Sequence, residues 1–378
     1  MLVRLHSGLL NTSNIYNGIE TWLRRMSTWI TAEFGKEMEK VDIPIPITRK
    51  PNELLVRVKA ASVNPIDTAM RNGYGREISS AVKKLRNCSF EPAVLLPYIG
   101  GRDCSGVVEY VGMNVKRFKK GDEVIAVVDP FRPGTHAEFA LVDESDCVMK
   151  PSNISFIDGA AFPYAACTAW SALVSVARIR PQDATSKRVL IHGGAGGVGT
   201  TAIQMLKAWN VEKVVVTCSE DCFEMVEKLG AIPINARSPE ALQKLIDEGP
   251  FDVILDCVQS ELAEWSDRVL GLWRNCVHVS LLSPLLNDTD RYGILLGVVS
   301  TAAQYLLRAA LPGLQRGQWY AYAFFAPHPE CMERIAEYLK DGKMKPVIDQ
   351  IFNYNELPAA YEKVGKKKGR GKTIIDMN

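Results

Sequence analysis

One stretch restricts what this chain can fold into more than any other. The apolar run RVLIH leads through Gly193 into Gly194-Ala195-Gly196-Gly197-Val198-Gly199, and a helix-like segment, TTAIQMLKAW, follows. A G-x-G-x-x-G spacing is weak alone, but between an apolar strand and a helix it has a physical reading. One glycine makes the tight turn, one lets the backbone approach a pyrophosphate, and one lets helix and strand pack closely. A helix beginning near Gly197 or Val198 then points its positive end at the phosphates. The stretch therefore predicts a bound nicotinamide dinucleotide held by Gly194, Ala195, Gly196, Gly197, Val198 and Gly199.

The end of the next strand, VVVT, bears on which dinucleotide is preferred. NAD sites tend to hold the ribose hydroxyl with an acid about 20 residues beyond the motif. Here Cys218-Ser219 stands at that point, with Glu220 and Asp221 just after it. A short hydroxyl at Ser219 leaves room for a 2′-phosphate that Arg237 or Lys228 would neutralise, so NADPH is the expected cofactor.

The chain changes texture on either side of this turn. LLVRVKAASVNP from Leu54, CSGVVEYVG from Cys104 and DEVIAVV from Asp122 are short strand-like runs bounded by turns, which suggests a barrel-like β region. After Pro151, RVLIHGG, TTAIQMLKAW, KVVVTCS, CFEMVEKLG, FDVILDCV and NCVHVSLL alternate strand and helix, as in a parallel doubly wound sheet. An amphipathic helix from Cys331 and a strand in KTIIDMN close the chain. The expected class is α/β: a Rossmann-type doubly wound domain, residues 166–326, inserted in a β-barrel catalytic domain made of residues 31–165 and 327–378.

Composition removes several function classes. Hydrophobic residues at 47% against 23% charged exclude a disordered chain, and a net charge of +2 with Lys and Arg spread along the chain offers nucleic acid no footprint, the run Lys366 to Lys372 reading as a solvated one. Nine cysteines, with no C-x-x-C pair, read as reduced thiols. Residues 1–30 carry Arg4, Arg24 and Arg25 against the acid Glu20, the character of a mitochondrial presequence, with Arg24-Arg25-Met26-Ser27 as a processing site. The apolar run 292–307 is shorter than the roughly 20 residues of a spanning helix. It is expected to be a buried or interfacial helix that, with Leu281, Leu282, Leu285 and Leu286, makes a peripheral membrane contact or a homodimer interface.

Further stretches carry a family resemblance: Ser62-Val63-Asn64-Pro65-Ile66-Asp67, Arg71-Asn72-Gly73-Tyr74, Gly101-Arg102-Asp103-Cys104-Ser105-Gly106, Gly121-Asp122-Glu123-Val124, Thr168-Ala169-Trp170 and Arg370-Gly371-Lys372-Thr373. Together with the glycine turn, and over nearly all of the chain after about Thr31, they resemble the medium-chain dehydrogenase/reductase superfamily. The match is to its zinc-free quinone oxidoreductase branch, and within that to a mitochondrial, reticulon-interacting group. The resemblance implies that the outer domain is GroES-like and that NADPH reduces a quinone or other α,β-unsaturated carbonyl. It also implies a link to ubiquinone metabolism in the mitochondrial matrix and a reticulon-type membrane protein as partner. Lys368, Gly369 and Arg370, and at the nicotinamide end Leu282, Tyr322 and Phe324, become expected cofactor contacts. Zinc-dependent relatives place ligands near the positions of Asn64, Arg102 and Tyr164; none of these three is a usual zinc ligand, so no metal is expected.

On the substrate side the candidate catalytic residues are Asn64, whose amide can donate to a carbonyl, and Tyr74, whose phenol can donate a hydrogen bond or a proton. An electron-poor acceptor takes hydride at a low barrier, so positioning and oxyanion stabilisation are what the protein must supply. Asn64 reads equally as a cap before Pro65, and Tyr74 as a turn residue. Arg102 and Asp103 read as a structural ion pair, and His136, His192, His278 and His328 as satisfied structural histidines. Many relatives carry an aromatic five residues beyond the asparagine, where this chain has Ala69. That departure keeps a second reading open, an NADPH-binding interaction protein with little turnover.

Overall fold

The computed structural model describes residues 24–48, 50–88, 91–273 and 275–378. It opens with an antiparallel hairpin, β1 (Arg25–Ile30) and β2 (Glu39–Pro44), in register from Arg25 opposite Pro44 to Ile30 opposite Glu39. β1 lies inside the stretch 1–30 expected as a presequence, and its Met26 is buried against Ile45, Leu55 and Phe139. Residues 25–30 thus belong to the folded body, and processing within Arg24-Arg25-Met26-Ser27 would cut into a paired strand. The rest of that expectation, residues 1–23, lies outside the described residues.

β3 (Glu53–Val63) organises the first sheet because its inward side chains, Leu54, Val56, Val58 and Ala61, form one apolar cluster. It pairs antiparallel with β4 (Asp103–Val111) and β6 (Phe139–Asp143). Further strands are β5 (Glu123–Val127) and β7 (Cys147–Met149). Between β3 and β4 run helices α1 (Pro65–Arg71) and α2 (Arg76–Asn87), and α1 starts where Pro65 fixes a φ suited to a first helical position. The second of these was not anticipated from the sequence.

The doubly wound part follows α3 (Pro163–Trp170). Its strands are β8 (Arg188–His192), β9 (Lys213–Cys218), β10 (Ile232–Asn235), β11 (Val253–Asp256), β12 (Cys276–Ser280) and β13 (Gln318–Tyr322). All are parallel in the order β10-β9-β8-β11-β12-β13. Helices α4 (Gly197–Ala208), α5 (Phe223–Lys228) and α6 (Ala241–Glu248) cross between them. β12 and β13 are joined through α7 (Leu285–Tyr292) and the long α8 (Ile294–Arg316). The inner strands β8, β9, β11 and β12 read as runs rich in Val, Ile and Leu because helices cover both faces.

After α9 (Pro329–Lys340), the chain returns to the first sheet. β14 (Ile348–Asn353) and β15 (Lys372–Asp376), separated by α10 (Leu357–Gly365), complete the order β14-β15-β3-β4-β5-β7. β15 lies antiparallel to β3 with Thr373 opposite Val63. The sheet is therefore made from both ends of the chain, with the parallel sheet between them. One buried cluster, from Ala60, Ile125 and Ile374 to Trp170, Ile191 and Ile203, runs through both parts and fixes the cleft between them. Each such side chain is worth about 1.5–3 kcal/mol when fully buried.

Candidate functional site

The glycine turn has the geometry its spacing requires. Gly193 has φ +79, the left-handed region that glycine enters without strain. A Cβ on Gly194 would lie 1.9 Å from Val216 Cγ1, and one on Gly199 2.5 Å from Gly194 Cα. These two glycines hold helix and strand together. Gly196 differs: the only atom a Cβ would meet is the Gly193 carbonyl oxygen, at 3.6 Å, so its outer side is open for close approach. α4 starts at Gly197 with no side-chain cap, leaving its first-turn amides to an outside acceptor. Both observations fit a dinucleotide pyrophosphate.

The C-terminal return brackets this turn. Gly371 N donates to the Ala195 carbonyl at 2.8 Å, and Gly371 and Gly196 form a parallel bridge. Just upstream, Lys368 and Gly369 are exposed, and Arg370 pairs with Asp221 just past the end of β9. The Asp221 carboxyl is held below its usual range by hydrogen bonding from Ser219, with Arg370 adding to the effect. Ser219 itself is half-buried at the strand end, 3.4 Å from Cys222 Sγ. Arg237 is exposed just beyond β10, next to Ala236, whose N–H bonds to the Cys218 carbonyl. Lys228, the other expected cation, is paired with Glu224 within α5. The guanidinium groups at this end are thus Arg237 and Arg370.

Lys372 is the residue that sequence reasoning missed. Its stem crosses the first turn of α4, where a Cβ on Gly197 would lie 2.7 Å from Lys372 Cδ. Its buried ammonium donates to Asn64 Oδ1 and sits 3.4 Å from Asp103 Oδ2. The Asn64 amide nitrogen donates to Ser62 Oγ and Asp103 Oδ1, each at 3.2 Å. Asn64 is therefore buried with both ends of its amide engaged, and donation to a substrate carbonyl requires one of these contacts to yield. The helix end beside it is closed by Asp67 Oδ2, which accepts from Asn64 N–H at 2.8 Å.

Arg102 and Asp103 do not pair with each other as expected. Successive strand residues point to opposite sides, so Asp103 meets Lys372 while Arg102 meets Asp67 at 3.4 Å. Arg102 also donates to the carbonyls of Ile99, Asp129 and Arg132. Its hydrogen bond to the Tyr98 hydroxyl joins a buried phenol whose pKa burial pushes up to about 12. His136 Nε2 donates to the Ser62 carbonyl at 3.1 Å and Nδ1 accepts from the Tyr361 hydroxyl at 2.9 Å, and burial holds the ring neutral.

Tyr74 lines a cavity of about 80 Å³ with Met70, Lys83, Tyr98 and Phe131. Burial, and then the carboxylate of Asp290, raise its phenol above the ordinary tyrosine value, so it keeps its proton. None of the glycine-turn residues lines that cavity.

At the expected nicotinamide end, Leu282 is exposed just after β12, with its N–H on Ser280 Oγ. Tyr322 ends β13. It shares the face of β13 with Tyr320, and its ring meets Tyr320 and Tyr305 of α8 instead of the polar network. Phe324 is half-exposed, whereas its neighbour Phe325 stacks on Tyr164 at 4.5 Å. Tyr164 N–H in turn donates to Asp103 Oδ2, so Phe325 is the aromatic tied to the network. His192 bonds Thr217 and Ser266, and His328 bonds Ser171, as structural histidines do. His278 contacts Asp267 through Nδ1, but its buried Nε2 has no hydrogen-bond partner among the described residues. Nor do three His, Cys, Asp or Glu side chains converge as a metal site among them.

Residues 50–152 match the family described as alcohol dehydrogenase GroES-like domain, and residues 229–375 the one described as zinc-binding dehydrogenase. The chain is 50% identical over 350 residues to a Caenorhabditis elegans protein named reticulon-4-interacting protein 1, mitochondrial, covering 93% of this chain and 94% of that one. It is 39% identical over 356 residues to the human NAD(P)H oxidoreductase RTN4IP1, mitochondrial, covering 93% and 89%. Among solved structures, the quinone oxidoreductase from Coxiella burnetii superposes with a TM-score of 0.73 at 27% identity, covering 94% of this chain and 100% of that one.

Proposed function

Because the chain belongs to the medium-chain dehydrogenase/reductase superfamily, in the group of the mitochondrial reticulon-interacting NAD(P)H oxidoreductases, we propose that it is an NADPH-dependent reductase of quinones or other α,β-unsaturated carbonyls. The observation that carries this reading is the junction at Lys372, whose backbone neighbours the open glycine turn and whose ammonium reaches Asn64. One residue thus links a phosphate-binding helix end to the substrate-side asparagine.

When bound there, NADPH supplies the hydride. The residues of this chain do the rest. The first-turn amides of α4 would hold the pyrophosphate, and Ser219, Arg237 and Arg370 would hold the 2′-phosphate. The buried charge of Lys372 stabilises an oxyanion developing beside Asn64. Tyr74, kept protonated in the neighbouring cavity, is the candidate proton donor. Metal independence is supported by the same ammonium, which lies against Asn64 and Asp103 and would repel a cation from them.

The names of the relatives support a mitochondrial location and a reticulon-type membrane protein as partner. The link to ubiquinone metabolism, the matrix address and work at a membrane surface complete the reading. Stopped-flow oxidation of bound NADPH by a short-chain quinone tests it, with rapid loss of NADPH absorbance expected. NADPH that stays reduced across a panel of quinones and enones would sink the enzyme reading in favour of a cofactor-binding interaction protein. Tighter binding of NADH than NADPH would sink the cofactor preference.

A further inference from the structure

Helix α8 faces the wrong way for a helix in water. Gly297, Thr301, Tyr305 and Arg308 form its inward stripe. Gly297 packs on Thr289, and Thr301 Oγ1 donates to Asp288 at 3.2 Å. Tyr305 meets the ring of Tyr322, and Arg308 lies 4.1 Å over the ring of Tyr320 and pairs with Asp267. The outward stripe is Leu295, Val299, Ala302 and Leu306, flanked by Leu296, Ala303 and Leu307. Leu295, Leu296, Val299, Leu306 and Leu307 are between 57% and 78% exposed. Surface helices carry polarity outward and apolar residues inward. An apolar strip of this length marks a surface that meets something other than water.

We propose that this face docks on the surface of an anionic lipid bilayer, with α8 lying in the plane of the headgroups. The run Ile294–Ala310 is apolar but too short to span, since a spanning helix needs about 20 residues. Both ends carry what an interfacial helix uses to sit at a headgroup layer. Arg291 stacks on Tyr292 at the start, and Arg316 stands at the end, where its carbonyl accepts from the backbone of the exposed Trp273. No Asp or Glu occurs between Arg291 and Arg316. That charge pattern complements anionic lipid.

The surface is fastened to the substrate side of the cleft. The Asp290 carboxylate, on α7, accepts from the N–H groups of Gly75 and Glu77, and Leu286 packs beside Gly75, next to Tyr74. A substrate dissolved in the bilayer would thus be met at the loop that lines the cavity, a consequence that rests on the quinone reading, whereas docking itself does not.

The test is co-sedimentation of the full chain with vesicles of phosphatidylcholine alone and of phosphatidylcholine mixed with an anionic phospholipid. It is run beside sedimentation velocity without lipid, and on the variant Leu295→Glu/Leu306→Glu. The chain is expected to bind the anionic vesicles, less so at high salt. The double variant, with an unchanged melting temperature, is expected to lose at least about tenfold in binding while still oxidising NADPH with a soluble short-chain quinone. No binding to anionic vesicles, or equal binding by the variant, overturns the proposal. A lipid-free dimer that the double substitution converts to monomer overturns it in favour of a subunit interface. Loss of soluble-quinone turnover in the unaltered chain would count against the reductase reading alone.

Discussion

The ammonium of Lys372 donates to the side-chain carbonyl of Asn64 across 308 residues of sequence, and both groups are buried. The contact joins the last strand to the start of α1 directly under the glycine turn. It makes the C-terminal return part of the site rather than a tail.

Replacing Lys372 with Met leaves Asp103 buried with its opposite charge gone. Breaking a buried pair in this way costs about 3 kcal/mol or more. Denaturant unfolding of Lys372→Met is expected to show that loss, and adding Asp103→Asn is expected to restore part of it. Equal stability of Lys372→Met and the parent chain would remove the pair from the account of the site.

Two glycines of one turn are expected to fail in different ways. Gly194→Ala drives a methyl into Val216 and is expected to lower stability by about 1–3 kcal/mol. Gly196→Ala has room and a φ of -78, so its melting temperature is expected to stay near the parent value. The added methyl projects where the cofactor would approach, and NADPH affinity is expected to fall at least about tenfold. Thermal melts with fluorescence titration separate the two effects.

The proposed reading puts Arg237 and Arg370 at the 2′-phosphate. The double variant Arg237→Ala/Arg370→Ala is expected to weaken NADPH binding by about tenfold or more and NADH binding far less, since only NADPH carries the extra charge. Equal losses for the two cofactors would place these arginines elsewhere. Titration calorimetry with both dinucleotides reads the difference.

His192 is buried on β8 against Thr217 and Ser266, and burial lowers its pKa from 6.5 to about 4. The unfolded chain binds the proton first, so this stabilisation is present above pH 6.5 and is lost as pH falls toward 4. The contribution falls by up to about 1.4 kcal/mol per pH unit in that window. Denaturant midpoints across pH 4–7 should show a slope that His192→Asn reduces.

Legibility differed from one element to another. β3, β4, β5, β8, β9, β11 and β12 were readable because alternating or continuous apolar runs bounded by glycine leave few other folds open. β10 and β13 are short, and β13 reads QWYAY without a strong period, so neither was anticipated. The run 292–307 was readable as a helix, but not that the helix starts at Ile294 and continues to Arg316, nor which side is exposed, since periodicity names two faces without saying which one the fold covers. Tyr322 and Phe325 were indistinguishable within one apolar run until the strand end set which ring met Tyr164.

The glycine turn is a local matter. Positive φ at Gly193 and the absent side chains at Gly194 and Gly199 act between near neighbours, so spacing alone forecast a strand, a tight turn and a helix opening toward phosphate. The partner of Asn64 is not local. β15 must pair antiparallel with β3, and the register sets Thr373 opposite Val63, which brings Lys372 beside Asn64 and Asp103. A shift of one residue would turn the lysine to the other face of the sheet, so its place in the site was decided by strand pairing between chain ends and by nothing near it in sequence.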